Sequence, residues 1–225
     1  MQELMLIAAS GLAREVLAVI RGSDQYRVVG FLDDSSIIQG RLVGGVTVLG
    51  TIADAALYNY TQFLVCVGSG TARQQIVQRL AHQGITRERF ATVLDPGVRV
   101  PPGSTVGHGS ILLSNVVLTA DVTVGTHVVA MPQVTLTHDN VVEDFATLCG
   151  GVTLGGGVRI GRAAYLGMNS SVRQGLAIGA EAVIGMGATV LQDIPAGETW
   201  AGVPAKRLHD RLQLVSGDPA EGREG

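Results

Sequence analysis

Taken every sixth residue from Leu94, the chain reads Leu94, Val100, Val106, Leu112, Leu118, Val124, Ala130, Leu136, Val142, Leu148, Leu154, Ile160, Leu166, Val172, Ile178, Ile184, Val190. All but Ala130 are Leu, Ile or Val, and no insertion breaks the phase. A helical period of 3.6 does not hold a phase of six, and neither does simple alternation over such a length. Two places before each aliphatic the residue is usually small or Val, as at Val122, Val128, Val134, Ala146 and Val152. The residue just after it is often Gly: Gly107, Gly125, Gly155, Gly161, Gly167, Gly179, Gly185. Positions −2 and 0 of a short strand point to the same side. The glycine that follows is expected to turn a corner at positive φ. Three such strands make a triangular coil of eighteen residues, and Val106, Val124, Val142, Ile160 and Ile178 then form one internal ladder. The pattern predicts a parallel β-helix over residues 93–199.

Residues 1–92 lack the hexad. An apolar run at residues 4–8 precedes a segment of helical spacing, Gly11–Arg21, with Leu12, Val16, Val19 and Ile20 on one side. Residues 28–32 form a second strand ending in Asp33-Asp34. Residues 63–67 form another, followed by Gly68-Ser69-Gly70 and a helix near residues 72–83. This order predicts a Rossmann-like βαβ domain of the α/β class, with ligands at the strand C-terminal ends. The first turn, Ala8-Ala9-Ser10-Gly11-Leu12-Ala13, is not the GxGxxG of a dinucleotide site. Amides at that helix start suit a phosphate, although packing alone also explains a small turn. The acidic pair Asp33-Asp34 suits nucleotide hydroxyl or base N–H groups, although a solvated strand end also explains it. Both features fall on one edge of the sheet, which favours a ligand.

Composition narrows the picture. The chain of 225 residues is 46% hydrophobic but only 4% aromatic, with 31 glycines. This suits a core of stacked aliphatics with tight corners better than an ordinary globule. The formal charge of -3 and the absence of a long basic run argue against nucleic acid and anionic membrane surfaces as partners. Cys66 and Cys149 form no disulfide framework or metal pattern. The N-terminus is too short and too acidic for a signal peptide, and no apolar stretch approaches bilayer length, so a cytoplasmic protein is expected. Residues 200–225 open with Trp200 and end in a polar tail, residues 216–225, expected to be disordered.

Ala9-Ser10-Gly11, Phe31-Leu32-Asp33-Asp34, Val67-Gly68 with Arg73, the unbroken hexads, Thr137-His138-Asp139, Gly150-Gly151-Val152 and Gly202-Val203-Pro204-Ala205-Lys206 appear in this order. In these residues nearly the whole chain resembles the sialic acid O-acetyltransferase family of hexapeptide-repeat acyltransferases. That family includes the enzymes acting on UDP- and GDP-linked 4-amino sugars. The resemblance implies a left-handed β-helix, a homotrimer, acetyl-CoA as co-substrate in the groove between adjacent β-helices, and no metal. A nucleotide sugar would bind the N-terminal domain through Ala9, Ser10, Gly11, Asp33, Asp34, Gly68 and Arg73 and reach the same groove. Gly150, Gly151, Gly167, Gly185, Gly202, Pro204, Ala205 and Lys206 would border acetyl-CoA, with Lys206 near its phosphates.

Acyl transfer from a thioester needs a base, donors for the oxyanion and alignment of both substrates. Of His82, His108, His127, His138 and His209, His138 lies two places after inward Leu136 and so on a corner. It matches the family's base, with Asp139 as its acid partner if the corner bends sharply. Gly156 lies eighteen residues on, one coil away, where its amide can meet the thioester oxygen. The family often has Asn-Thr where this chain has Met131-Pro132, and a second His where it has Thr147. It commonly has Gly and His at the places of Ala8 and Leu12. Apolar Met131 beside the acceptor pocket points to an acceptor other than the commonest 4-amino sugars. Acetylation of a nucleotide-linked amino sugar is the favoured function. O-acetylation of a sugar such as sialic acid and acylation of another small metabolite remain open. So, more remotely, do a zinc hydratase, which needs three converging histidines, and a non-catalytic solenoid, which binds no CoA.

Overall fold

The computed structural model describes residues 1–208; the expected polar tail and His209 lie outside the described residues. Strand β1 (Gln2–Ile7) is apolar on both sides because both are covered. Leu4 and Leu6 face helix α1 (Gly11–Arg21), whereas Met5 and Ile7 face helix α2 (Gly70–His82). Helix α1 starts where Ser10 accepts a hydrogen bond from the Ala13 amide, and it buries Leu12, Ala13, Val16, Leu17, Val19 and Ile20. With β2 (Tyr26–Leu32), β3 (Leu42–Val43), β4 (Val46–Gly50) and β5 (Gln62–Val65) the sheet order is β3-β4-β2-β1-β5. All pairs are parallel except β3–β4, a hairpin the hydrophobic pattern does not announce. The strand order reverses between β1 and β5. Their C-terminal ends, carrying Ala9–Gly11 and Gly68, therefore form the topological switch point where such sheets bind ligands.

From Val93 the chain winds as a left-handed parallel β-helix. Its two-residue strands stack on three faces. The first runs through Val124, Val142, Ile160 and Ile178. The second runs through Leu112, Ala130, Leu148, Leu166 and Ile184, and the third through Leu118, Leu136, Leu154, Val172 and Val190. The predicted ladder forms in register, Val106↔Val124↔Val142↔Ile160↔Ile178. Ala130, the odd member of the hexad series, is 1% exposed and belongs to the same core. Burying each Val, Leu or Ile contributes roughly 1.5–3 kcal/mol, and each coil depends on its neighbours for that burial. The last coil is shorter, with Val183 paired to Thr199 and Ile184 to Trp200. Trp200 closes the end of the core, and an antiparallel strand, Lys206–Leu208, pairs with Thr199–Ala201.

The expected corner chemistry needs one correction. Positive φ occurs three places after the inward aliphatic, not one: Gly109, His127, Asp139, Phe145, Gly151 and Asn169 are examples. The glycine at +1 has a different cause, the closeness of the next coil. A Cβ on Gly155 would lie 2.6 Å from the Gln174 amide nitrogen, and one on Gly167 as close to that of Met186.

The α/β domain lies on the second face. Ile111, Leu113 and Val129 join its core, and Met131 packs against the same cluster.

Candidate active site

His138 stands on the corner between the third and first faces. Asp139 beside it has φ 61, and this bend brings its carboxylate to the imidazole of its own neighbour, with Nδ1 to Oδ2 at 2.7 Å. A carboxylate on Nδ1 favours the tautomer with its proton there, which leaves the Nε2 lone pair directed away from Asp139. Both side chains are about two-thirds exposed. Gly156 lies against the ring from the next coil: a Cβ there would collide with Nε2 and Cε1 of His138. Glycine at 156 is thus a condition for the histidine to occupy this place. The Gly157 amide donates to the His138 carbonyl at 2.9 Å. The Gly156 amide, like most amides at that point of the coil, makes no hydrogen bond within the described residues.

The other expected acetyl-CoA residues occupy a different corner. Gly150, Gly151, Gly167, Gly185 and Gly202 lie between the second and third faces, where Gly151 and Gly202 have positive φ. Pro204 follows in a cis peptide bond, the Ala205 amide donates to Thr189, and Lys206 is exposed. Between this corner and that of His138 runs the third face, whose outward positions are Val117, Thr135, Thr153, Ser171 and Thr189. A Cβ at Gly185 would press on Ala201, so packing alone already requires that glycine.

At the switch point, Ser10 caps α1 and donates to the Cys66 carbonyl at 2.6 Å. Asp33 accepts from the Ala9 and Ser35 amides, both at 2.8 Å, and so ties the ends of β1 and β2 together. Gly11 and Gly68 have open space where a Cβ would be. Asp34 departs from expectation, since its carboxylate is taken by the Ile52 amide and Arg79. Burial opposes its ionisation, but those bonds outweigh burial and hold it below the usual carboxylate range.

Arg73 is the clearest correction. It is fully buried and spends its guanidinium on the chain itself: on the carbonyls of His127, Val67, Phe145 and Ala146 and on Thr147 Oγ1. No donor remains for a substrate. Burial pulls the group down to about 10, so it stays charged at neutral pH. Thr147, at the place of the family's second His, also donates to the Gly68 carbonyl at 2.7 Å. Met131 likewise serves the seam between the α/β domain and the coil and does not share the His138 corner. His127 is 5% exposed, stacked on Phe145 and edge-on to Phe90. Burial, with Arg73 nearby, pulls its pKa down to about 4. Among the described residues, no three metal-ligating side chains gather, and no helix is long and apolar enough to cross a membrane.

Sequence reasoning missed Asn140. It is fully buried inside the coil, with Nδ2 donating to the Gly155 carbonyl at 2.7 Å. The signal was present: it is the only amide side chain in the −2 series from Val98 to Ala188.

Comparison with known proteins agrees with this architecture. Residues 3–80 match the family described as the PglD N-terminal domain. A UDP-3-O-acylglucosamine N-acyltransferase of Methylobacterium sp. (strain 4-46) is 28% identical over 105 residues, 47% of this chain. The match spans only 25% of that relative's length. A histidine-to-asparagine variant of perosamine N-acetyltransferase from Caulobacter crescentus, in complex with CoA and GDP-perosamine, superposes with TM-score 0.86 at 25% identity, over 93% of this chain and 98% of that one. The acetyltransferase domain of PglB from Neisseria gonorrhoeae FA1090 superposes with TM-score 0.80 at 29% identity, over 92% and 100%. By its N-terminal domain, its unbroken hexads and its likeness to these enzymes along nearly the whole chain, this protein is similar to nucleotide-amino-sugar N-acetyltransferases of the hexapeptide-repeat superfamily.

Proposed function

We propose that the chain transfers the acetyl group of acetyl-CoA to the amino group of a nucleotide-linked amino sugar. The observation that carries the reading is the His138–Asp139 pair, closed at 2.7 Å by the bend at Asp139, with Gly156 bare beneath the imidazole. In this scheme His138 Nε2 takes a proton from the attacking amine. The nitrogen bonds to the thioester carbon, and the Gly156 N–H donates to the oxyanion. When the tetrahedral intermediate collapses, the C–S bond breaks and the imidazolium returns its proton to the CoA sulfur. Asp139 stabilises the imidazolium in between and holds the tautomer.

The placement of the two halves supports a homotrimer with shared sites. The α/β domain and its switch-point loops cover the second face, whereas His138 stands at the corner opposite that face. One chain therefore holds its nucleotide loops and its base on opposite sides, and a second copy is needed to bring them together. Acetyl-CoA would lie along the third face in the groove so formed. Its border would be Gly150, Gly167, Gly185 and Gly202–Lys206 at one corner and Gly156 at the other.

His138→Ala is expected to lower kcat at least about a hundredfold while CoA binding persists. Unchanged turnover would remove His138 from the mechanism. A thiol-release screen with acetyl-CoA against UDP-, GDP- and dTDP-linked amino sugars and free sialic acid tests the acceptor. Thiol release with sialic acid alone would replace N-acetylation by O-acetylation.

A further inference from the structure

The peptide unit between Gly155 and Gly156 holds the oxyanion donor of the proposed reaction, so its plane sets where that N–H points. In a trans peptide the carbonyl and the N–H point in opposite directions. At several corners the carbonyl equivalent to Gly155 accepts from the amide three residues on, as Gly161 does from Ala164 and Gly167 from Ser170. At Gly155 the donor is the Asn140 side chain. Asn140 lies at an inward position of the coil, stacked between Val122 and Val158 of the coils on either side. With the Gly155 carbonyl held inward, the Gly156 N–H faces outward beside the His138 ring. Two neighbouring bonds fix the rest of this segment, Thr137 Oγ1 to the Leu154 carbonyl at 2.7 Å and the Gly157 amide to the His138 carbonyl. Among the described residues, only the Asn140 bond acts on the peptide that carries the Gly156 N–H. A hydrogen bond on the carbonyl also polarises the amide and strengthens it as a donor.

The same contact has a cost. Asn140 Oδ1 is buried with no partner among the described residues, a penalty that the Val and Ala at equivalent inward positions avoid. We propose that Asn140 is a positioning residue for acyl transfer, aiming the Gly156 N–H at the thioester oxygen. This rests on the reading of His138 as base and Gly156 as oxyanion donor.

The coil supplies its own control. At an equivalent inward position, Ser110 Oγ donates to the Gly125 carbonyl at 2.9 Å, so a serine can hold such a peptide. Asn140→Val, Asn140→Ala and Asn140→Ser are compared by kcat, by KM for acetyl-CoA and acceptor, and by thermal midpoint. Asn140→Val is expected to lose about tenfold in kcat, a fraction of what loss of an oxyanion donor costs. Its KM values should stay within about twofold, with a thermal midpoint near that of the parent, because loss of the orphaned oxygen offsets the freed Gly155 carbonyl. Asn140→Ser should keep kcat within about threefold. If Asn140→Val fails to fold, Asn140→Ala carries the same expectation for kcat. Parental kcat in the variants lacking the donor, or equal losses in these and the serine variant, would overturn the proposal. His138→Ala assayed alongside separates the two ideas. If it retains turnover, the underlying reading fails; if it is inactive while Asn140→Val turns over normally, only the role of Asn140 fails.

Discussion

Single side chains decide the electrostatics of the seam, and His127 shows how. Its ring lies between Phe90 and Phe145, with Arg73, Asp144 and His108 as the charged or titratable groups around it. Burial holds its pKa near 4 in the folded chain, against 6.5 in free solution. The unfolded chain therefore binds a proton below about pH 6.5 that the folded chain refuses until about pH 4. The stability from the neutral ring is full above that window and falls as pH drops through it, by about 3 kcal/mol in all. Phe145 already sits in the same backbone conformation one coil on, so His127→Phe should fold and lose this acid-dependent component. Urea unfolding at pH 7 and at pH 4.5 measures it; an unaltered difference between the two pH values would contradict the account. At this scale the hexad phase placed His138 on its corner and Gly156 one coil above it. It did not locate the positive-φ residue, because that place holds Gly, Asn and Asp but also His127, Gln133, Phe145 and Glu181, so no residue type marks it, whereas the glycines at +1 stand out for reasons of clearance.

Among elements, the decisive contact is the N-terminus of α2 on the coil. Arg73 enters that contact and binds carbonyls from three separate segments. Gly70 is bare because a Cβ would collide with the Phe145 carbonyl. Arg73→Met keeps the bulk but strands those carbonyls. It is expected to destabilise the protein by about 3 kcal/mol, read from the urea midpoint at fixed protomer concentration. A change below about 1 kcal/mol would make the arginine a passive filler. The strands and helices around this contact were legible because their apolar spacing is local. The role of Arg73 was not, since its partners beyond Val67 and Gly68 lie 54 to 74 residues away in sequence. In sequence, a basic residue just inside a helix at a strand end looks the same whether it meets a phosphate or its own main chain.

For the whole molecule, the opposed placement of the switch-point loops and His138, the proposed nucleotide site and base, makes a sharp expectation. Gly11→Trp adds bulk at the switch point where open space exists, and His138→Ala removes the base. Each variant alone should be inactive. Refolded together in equal amounts, they should regain activity toward about a quarter of the parent, the share of sites that draw an intact loop from one protomer and an intact base from another. No recovery in mixed oligomers would place the complete site within one chain.

The eighteen-residue register has a consequence for how such a gene can change length. Removal or duplication of one full coil restores every downstream side chain to its face. A change of six residues within the wound segment would turn all that follows by one face, and between His138 and Gly156 it would part the two. Extra residues are harmless only where they bulge from a corner and rejoin in phase. Between His138 and Gly156 lies a single coil, in register from Leu136↔Leu154 to Val142↔Ile160. That interval has no whole coil to spare, so the chemistry is tied to a count of residues as firmly as to their identity.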